Sequence, residues 1–231
     1  MEVDLDIVEL AVAREQKALS EYESKLLLAK YGIPITREAL ATSRDEAVDV
    51  ASKLGYPVVL KGCSAEATHK TEMNLIRLNL ANAAEVAKAY DDIAEHSPVK
   101  LDGILVQEMI RGDRELVIGL IRDPQFGPCV MLGLGGIFTE LIKDVTFRVA
   151  PLEERDAYEM MSELKGAAIL GPFRGKPPVD RAVLCQALIA MGQIGLENED
   201  VAEIDVNPLI IAGDKPVAVD ALVILKRERP E

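Results

Sequence analysis

The closing segment of the chain constrains its fold most strongly. Residues 201–225 read VAEIDVNPLIIAGDKPVAVDALVIL, with a run of strand-forming residues on each side of Gly213-Asp214. A Gly-Asp pair between two such runs is typical of a two-residue β-hairpin turn. Such a turn fixes which residues of the two strands face each other. It predicts two strands in which Asn207 lies opposite Asp220.

The same register predicts a cluster of acidic side chains. Glu203, Asp205 and Asn207 alternate along the first strand and therefore share one face of the sheet. The Cβ atoms of Asn207 and Asp220 are then about 5 Å apart. Carboxylate and amide oxygens suit Mg²⁺ or Mn²⁺, usually with nucleotide phosphates completing the shell. The alternative is a solvated acidic face, but crowded like charges are unfavourable without a cation, which favours the metal site.

Composition excludes several classes of protein. Of the 231 residues, 49% are apolar, which is typical of a globular protein, and the net charge of -13 argues against a nucleic-acid partner. Three widely spaced cysteines form neither a disulfide framework nor a zinc pattern, which indicates a reducing cytoplasm. The charged N-terminus is unlike a signal peptide, and no run of about 18 apolar residues predicts a membrane span.

Helix and strand patterns alternate irregularly, which favours an α+β fold over a doubly wound sheet. Capping patterns begin helices at Ser20 and Ser43. The composition changes near residues 95–103, EHSPVKLDG. We therefore predict an N-terminal helix over 1–18, a smaller lobe over 19–98 and a larger lobe over 99–231. A cleft between two lobes is a natural ligand site.

Three further segments allow both a functional and an ordinary interpretation. Lys61 ends the strand YPVVLK, where it either contacts phosphate or is an ordinary edge lysine. The glycines of LGLGGIFTE, with Gly119 before them, permit close backbone approach to a phosphate, but turns use glycine as well. The segment VQEMI suits an adenine pocket, and a strand edge explains it equally well.

His69 lies in KGCSAEATHKTEMNL, amid small polar residues and beside Lys70. No second histidine or cysteine lies at metal-ligand spacing from it. Three interpretations remain open: a surface histidine, a general acid–base, or a nucleophile that carries a phosphoryl group. His96 is interpreted as a helix-end residue beside the macrodipole.

Many segments in order, from residue 18 onward, resemble one known family. They include LSEYESKLLLAKYGIP, GYPVVLK, THKTE, LVQEMI, RELVIGLIRDPQFGPCVMLGLGGIFTELIKDVTFRVAPL and VAEIDVNPLII. The chain resembles the β subunits of ADP-forming acetyl-CoA synthetases, in the succinyl-CoA synthetase superfamily. The resemblance implies an α+β ATP-grasp fold, in which two lobes hold a nucleotide in the cleft between them.

The resemblance also implies an activity, a cofactor and a partner. The family converts acyl-CoA, ADP and phosphate into the acid, CoA and ATP, using Mg²⁺ and an adenine nucleotide. A CoA-binding α subunit carries the first phosphohistidine, and the family expectation is an α2β2 assembly. Another ATP-grasp carboxylate ligase working through an acyl phosphate is an alternative, as is a nucleotide-sensing module.

Individual residues match the functional positions of that family. The matches are Lys61 for phosphate; Glu108, Met109 and Ile110 for the adenine hinge; Glu115 for the nucleotide-side acid; Gly135 and Gly136 for the loop over the phosphates; and Asn207 and Asp220 for magnesium. Asp205 matches an acid that faces the incoming phosphohistidine. His69 matches a second phosphoryl carrier, although Asn74-Leu75 replaces the family's Gly-Gly pair after it.

Overall fold

The structure is a computed structural model that describes residues 6–65, 74–136, 144–172 and 175–226. In chain order, its elements are α1 (Ile7–Ala13), α2 (Glu21–Lys30), β1 (Glu38–Ala41), α3 (Arg44–Leu54), β2 (Val58–Cys63), β3 (Ile76–Leu80), α4 (Ala83–His96), β4 (Gly103–Glu108), β5 (Glu115–Asp123), β6 (Gly127–Leu134), β7 (Val145–Val149), α5 (Glu154–Glu163), a 3₁₀ turn (Ala167–Leu170), α6 (Arg181–Glu197), β8 (Val201–Ala212), β9 (Lys215–Ala218) and β10 (Leu222–Leu225).

The smaller of two compact units contains residues 20–23 and 36–110. Its four-stranded antiparallel sheet has the order β1-β4-β2-β3. Helices α3 and α4 cover the sheet with small and branched side chains. Strand β2 is buried along its whole length, because β3 and β4 flank it and the helices cover it. Any polar side chain on β2 is therefore held in the interior of this unit.

The larger unit contains the described parts of residues 1–19, 24–35 and 111–231. Its antiparallel sheet has the order β10-β8-β5-β6-β7, with β9 also paired to β8. Helix α6 packs on β5 and β6, and α5 packs on β7 and α6, forming the main apolar core. Along β8, buried residues alternate with more exposed ones. One face of this sheet therefore serves the core, and the other presents polar groups.

The predicted helix starts at Ser20 and Ser43 are confirmed. The backbone N–H of Ser20 donates to the Glu23 carboxylate at 2.9 Å, and the N–H of Glu23 donates to the Ser20 hydroxyl at 3.3 Å. At α3, the Ser43 hydroxyl accepts from the N–H of Glu46 at 3.3 Å. The Glu46 carboxylate reaches one residue further back, to the N–H of Thr42. Both caps satisfy N–H groups that a helix terminus leaves open.

The predicted hairpin register is confirmed around Gly213. Leu209 pairs with Ala218 and Ala212 pairs with Lys215 on either side of the turn. Beyond them, Asp205 pairs with Leu222 in the same register. The prediction of two strands was incomplete, because the returning strand is divided into β9 and β10 by residues 219–221.

The predicted lobe boundary at residues 98–99 differs from the division that the structure shows. Strand β4 lies beyond that boundary in sequence, yet it occupies the interior of the smaller sheet, paired with both β1 and β2. Residues 24–35 belong to the larger unit instead. Helix α1 covers Ile7–Ala13, within the helix predicted over 1–18, of which residues 1–5 lie outside the described ranges. The composition change at residues 95–103 therefore marks the connection between α4 and β4, and not a boundary between the two units.

Across the described ranges, the structure contains no helix that is long and apolar enough to cross a membrane.

Arg114 joins two other segments of the larger unit. It is 1% exposed, and its guanidinium donates to the carbonyl oxygens of Ile169, Gly171 and Gly213 at 3.4, 3.3 and 2.8 Å. The first two acceptors belong to the 3₁₀ turn and its C-cap, and the third to the turn after β8. One planar cation with five donors therefore connects segments that are distant in sequence.

We expect Arg114→Met to lower the free energy of unfolding by about 3 kcal/mol, because buried carbonyl acceptors lose charged donors. Urea denaturation monitored by circular dichroism measures the change. Arg148→Met is the matched control: Arg148 makes an ion pair with Glu163 at 2.6 Å, on side chains that are 25% and 50% exposed. A loss for Arg114→Met no larger than for Arg148→Met would contradict the role of Arg114.

Candidate functional site

The polar face of the larger sheet is centred on strand β8. Glu203 and Asn207 are exposed and Asp205 is half-buried, while Ile204 and Val206 between them face the core. Asp205 lies between its ladder partners Gly119 of β5 and Leu222 of β10. The alternation predicted from the sequence therefore places the three polar side chains on one face.

Asn207 and Asp220 lie at the break between β9 and β10. The N–H of Val219 donates to the carbonyl of Pro208 at 3.1 Å, next to the Leu209–Ala218 pair. The hairpin register thus continues up to these two residues, although they form no ladder pair themselves. The structure therefore agrees with the predicted opposition of Asn207 and Asp220, at a point where regular pairing stops.

The acids of this face influence one another. Burial raises the pKa of the Asp205 carboxyl, and the neighbouring charges of Glu203 and Asp220 raise it further. Within the described part of the chain, however, no three His, Cys, Asp or Glu side chains are arranged to hold a metal ion. Among the described residues, Glu203, Asp205 and Asp220 thus lie close enough to affect one another's charge, but they do not form a metal site by themselves. A cation here needs ligands from another source, such as phosphate.

Glu115, Gly135 and Gly136 come together at the adjoining ends of β5 and β6. The N–H of Gly135 donates to the carbonyl of Glu115 at 2.8 Å. A Cβ atom on Gly135 would lie 2.9 Å from the backbone carbon and the Cβ of Glu115. Gly136 has a φ of +69°, and a Cβ there would lie 3.2 Å from a Glu115 carboxylate oxygen. Both glycines are therefore required by close approach to Glu115 or by backbone conformation.

Lys61 is an interior residue of the smaller unit. It is 4% exposed and pairs with Ile76 of β3 and Leu105 of β4. Its ammonium Nζ lies 2.7 Å from Oε1 of Glu21, whose side chain is fully buried. The interpretation of Lys61 as an ordinary edge lysine is therefore wrong, because the residue belongs to an inner strand and carries a buried counter-charge.

The predicted adenine hinge begins at Glu108, the last residue of β4. Its carboxylate accepts from the backbone N–H and from Nε of Arg37, at 2.7 and 2.8 Å. The N–H of Met109 donates to the carbonyl of Pro57 at 3.3 Å. The Glu108 side chain thus binds Arg37 at the end of β4, and Met109 and Ile110 follow directly after it. Recognition of a base at this position would fall to backbone groups, as the resemblance implies.

Sequence reasoning missed Glu21 and Arg37 as parts of these sites. The capping pattern identified Ser20 and Glu23, but nothing local distinguishes Glu21 from any first-turn acid. Arg37 follows Thr36 in a loop without a motif. In both cases the partner is distant in sequence, so only the fold reveals the contact.

The histidine prediction falls outside the described residues, because His69 lies in the segment 66–73. His96 is the last residue of α4, and its Nδ1 lies 2.9 Å from the carbonyl oxygen of Asp92. This position agrees with the interpretation of His96 as a helix-end residue.

Comparison with known proteins identifies the class of fold. The family model of the ATP-grasp domain matches residues 10–225. The β subunit of acetate–CoA ligase (ADP-forming) I from Pyrococcus furiosus is 40% identical over 225 residues, covering 95% of this chain and 97% of that subunit. The acetate–CoA ligase (ADP-forming) I from Archaeoglobus fulgidus is 37% identical, and the match covers 87% of this chain and 30% of that protein.

Solved structures agree with this assignment. Acetyl-coenzyme A synthetase 1 of Ca. Korarchaeum cryptofilum, in complex with coenzyme A and Ca-AMPCP, matches with a TM-score of 0.91 and 46% identity, covering 96% of this chain and 99% of that one. A second structure of that enzyme holds coenzyme A and Mg-AMPPCP, with its phosphohistidine segment pointing towards the nucleotide-binding site, at a TM-score of 0.85 with the same identity and coverage. The chain therefore belongs to the ATP-grasp family, and within it to the β subunits of ADP-forming acetate–CoA ligases.

The close packing of Gly135 predicts a specific cost of substitution. We expect Gly135→Ala to lower the free energy of unfolding by about 1–3 kcal/mol, because a methyl group overlaps the backbone of Glu115. Denaturant titration measures it. Gly171→Ala is the control, since its Cβ would meet only the Ala168 carbonyl, at 3.3 Å. Equal stability of Gly135→Ala and wild type would contradict the prediction, because the backbone at Gly135 would then move away from Glu115 at no cost.

The raised pKa of Asp205 predicts a pH-dependent effect on stability. At neutral pH the folded state bears the unfavourable ionised carboxylate, so Asp205→Asn is expected to stabilise the metal-free chain. The gain should shrink as the pH falls through the raised pKa of the folded state, and should vanish below the ordinary pKa of 3.8, where the carboxyl is protonated in both states.

Urea denaturation from pH 7 downwards, without magnesium or nucleotide, measures this difference. Asp91→Asn is the control, because it removes a carboxylate that is 58% exposed and lies 3.5 Å from Arg44. A destabilised Asp205→Asn, or a gain independent of pH, would refute the electrostatic strain at Asp205.

Proposed function

We propose that the chain is the nucleotide-binding subunit of an ADP-forming acyl-CoA synthetase. The reaction converts acyl-CoA, ADP and phosphate into the free acid, CoA and ATP, by transfer of a phosphoryl group through phosphohistidine. Acetyl-CoA is the substrate that the names of the relatives favour. The observation that carries the proposal is the acidic face of β8, where the charges of Glu203 and Asp220 act on the half-buried Asp205, in a chain of this family.

Magnesium fits this face by the chemistry of its donors. Asn207 offers an amide oxygen and Asp220 a carboxylate, both hard ligands. Burial raises the pKa of Asp205 most, and the charges of Glu203 and Asp220 raise it further. We assign Asn207 and Asp220 as the residues that hold Mg²⁺ together with nucleotide phosphates. When bound, the ion neutralises charge on the phosphoryl group during transfer.

The remaining candidate residues bind and orient the nucleotide. We assign the backbone from Glu108 through Met109 and Ile110 to adenine recognition, with Glu115 as the acid on the nucleotide side. We assign Gly135 and Gly136, which lie against Glu115, to the loop over the phosphates. Lys61 supplies a cation for phosphate oxygens, which disperses charge in a loose transition state.

The phosphoryl step involves His69 and Asp205. An imidazole nitrogen of His69 attacks the phosphorus, and the bond to the partner's phosphohistidine breaks. The ADP phosphate oxygen then displaces His69 in the same way, forming ATP and regenerating the free imidazole. Asp205 is assigned as the acid that faces the incoming phosphohistidine and orients its ring.

The partner is assigned as an α subunit that binds CoA and carries the first phosphohistidine. The match covers 30% of the Archaeoglobus relative, so that protein contains sequence beyond the part that matches this chain. The Korarchaeum enzyme contains both coenzyme A and a phosphohistidine segment in its structures. An α2β2 assembly is the arrangement we propose for the complete enzyme.

A second candidate function is another ATP-grasp carboxylate ligase, which activates an acid as an acyl phosphate. Such an enzyme would use Lys61, Asn207 and Asp220 in the same roles but would leave His69 idle. Phosphoryl labelling therefore separates the two functions.

We expect the chain, mixed with its α subunit, Mg²⁺ and γ-labelled ATP, to acquire an acid-labile, base-stable label. His69→Asn should remove the label from this chain and lower ATP formation severalfold or more, since the carrier nitrogen is lost. His96→Asn is the matched control: it removes the other histidine, whose side chain is 66% exposed.

Each outcome decides between defined mechanisms. Label on the α subunit alone, with normal turnover of His69→Asn, would mean direct transfer to ADP and would refute the carrier role. ATP-dependent activation of an acid with no labelled histidine on either subunit would favour the acyl-phosphate ligase.

A further inference from the structure

One buried charge has no part in the assignments above: the Glu21 carboxylate. Its side chain is 0% exposed, and Oε1 lies 2.7 Å from Nζ of Lys61, whose side chain is 6% exposed. The two residues are 40 positions apart in the sequence. Their contact is therefore a product of the fold and not of a local turn.

Stability is a weak explanation for such a pair. Removing two ions from water costs several kcal/mol for each ion, and their mutual attraction often only offsets this cost. A pair of apolar side chains of similar size frequently serves a protein interior equally well or better. A buried Glu–Lys pair that includes the candidate phosphate-binding lysine therefore suggests a requirement for the charge itself.

Both members of the pair are held rigidly. Glu21 is the first residue of α2, directly after Ser20, and the Ser20–Glu23 capping box fixes this helix start. Lys61 lies on an inner strand with ladder partners on both sides. The backbones of both residues are therefore fixed by regular structure, so the Glu21 carboxylate holds the Lys61 ammonium at one place.

We propose that Glu21 is a positioning residue that keeps Lys61 charged and oriented for a nucleotide phosphate. The inference rests on the proposed function, because it takes Lys61 as a phosphate ligand. A buried ammonium without a counter-ion loses its proton more easily. An ammonium has three N–H donors, so contact with Glu21 is compatible with a phosphate oxygen as another acceptor. Glu21 thus acts through Lys61 and not on the nucleotide itself.

The test measures the affinity of the full chain for ADP with Mg²⁺ by calorimetry. We expect Glu21→Gln to weaken binding by about tenfold, within the range for a hydrogen bond to a charged group. Glu21→Asp, which retains the charge on a shorter side chain, should restore part of the affinity. Glu23→Gln is the matched control, because it removes a carboxylate from the same helical turn, and glutamine also serves in a capping box.

A double-mutant cycle distinguishes positioning from a general effect on folding. If Glu21 acts through Lys61, Glu21→Gln should change ADP affinity by less than about twofold when Lys61 is already methionine. Additive losses in the Lys61→Met, Glu21→Gln double variant would overturn the inference, because Glu21 would then act independently. Urea denaturation of each variant confirms that the measured chains are folded.

The outcomes also separate this inference from the proposed function. A wild-type chain that fails to bind Mg-ADP would overturn both. Wild-type binding that Lys61→Met weakens, while Glu21→Gln and Glu21→Asp bind like wild type, would overturn only the role of Glu21. Unchanged binding by Lys61→Met would likewise remove the positioning role and leave the nucleotide site in place. If Glu21→Gln does not fold, the cycle is run with Glu21→Asp, and losses of affinity that add to those of Lys61→Met overturn the inference.

Discussion

The pairing of β8 is the constraint on which the larger unit and its site depend. This strand has β5 on one side and both β9 and β10 on the other, so its residues cannot slip without breaking all three ladders. A shift by one residue would turn Ile204 and Val206 out of the core and Asp205 into it. Burial of the apolar face of β8 therefore fixes the position of its acidic face. The geometry of the site follows from the packing of the core.

Features set by neighbouring residues were predictable from the sequence. The caps at Ser20 and Ser43 and the turn at Gly213 each depend on side chains a few positions apart. The alternation of β8 was predictable for the same reason, because a strand has a period of two. The contact between Lys61 and Glu21 was not, since the two residues are 40 positions apart in the sequence and meet only in the folded unit. Whether Lys61 lay on an inner or an edge strand depended on strand order, which no local pattern encodes.

The lobe boundary was misplaced for a related physical reason. Residues 97–102 join α4 to β4 and include Ser97, Pro98 and two charged residues, which are typical of a linker. A connection within a sheet–helix unit and a linker between units share this composition, because both expose their backbone to water. Only the pairing of β4 with β1 and β2 shows that the chain returns to the smaller sheet. The strands, and not the loops, determine where one unit ends.

The two charged centres differ in their electrostatic balance. Lys61 is buried together with a carboxylate, so its charge is compensated within the smaller unit. Asp205 is partly buried near Glu203 and Asp220, so both of the charges that act on it are negative. The acidic face is therefore less favourable alone than with a cation, and its stability is linked to whatever binds there. A divalent ion accompanied by phosphate relieves this repulsion, whereas phosphate alone would increase it. We therefore expect a nucleotide to bind at the acidic face of β8 together with a divalent cation, and not alone.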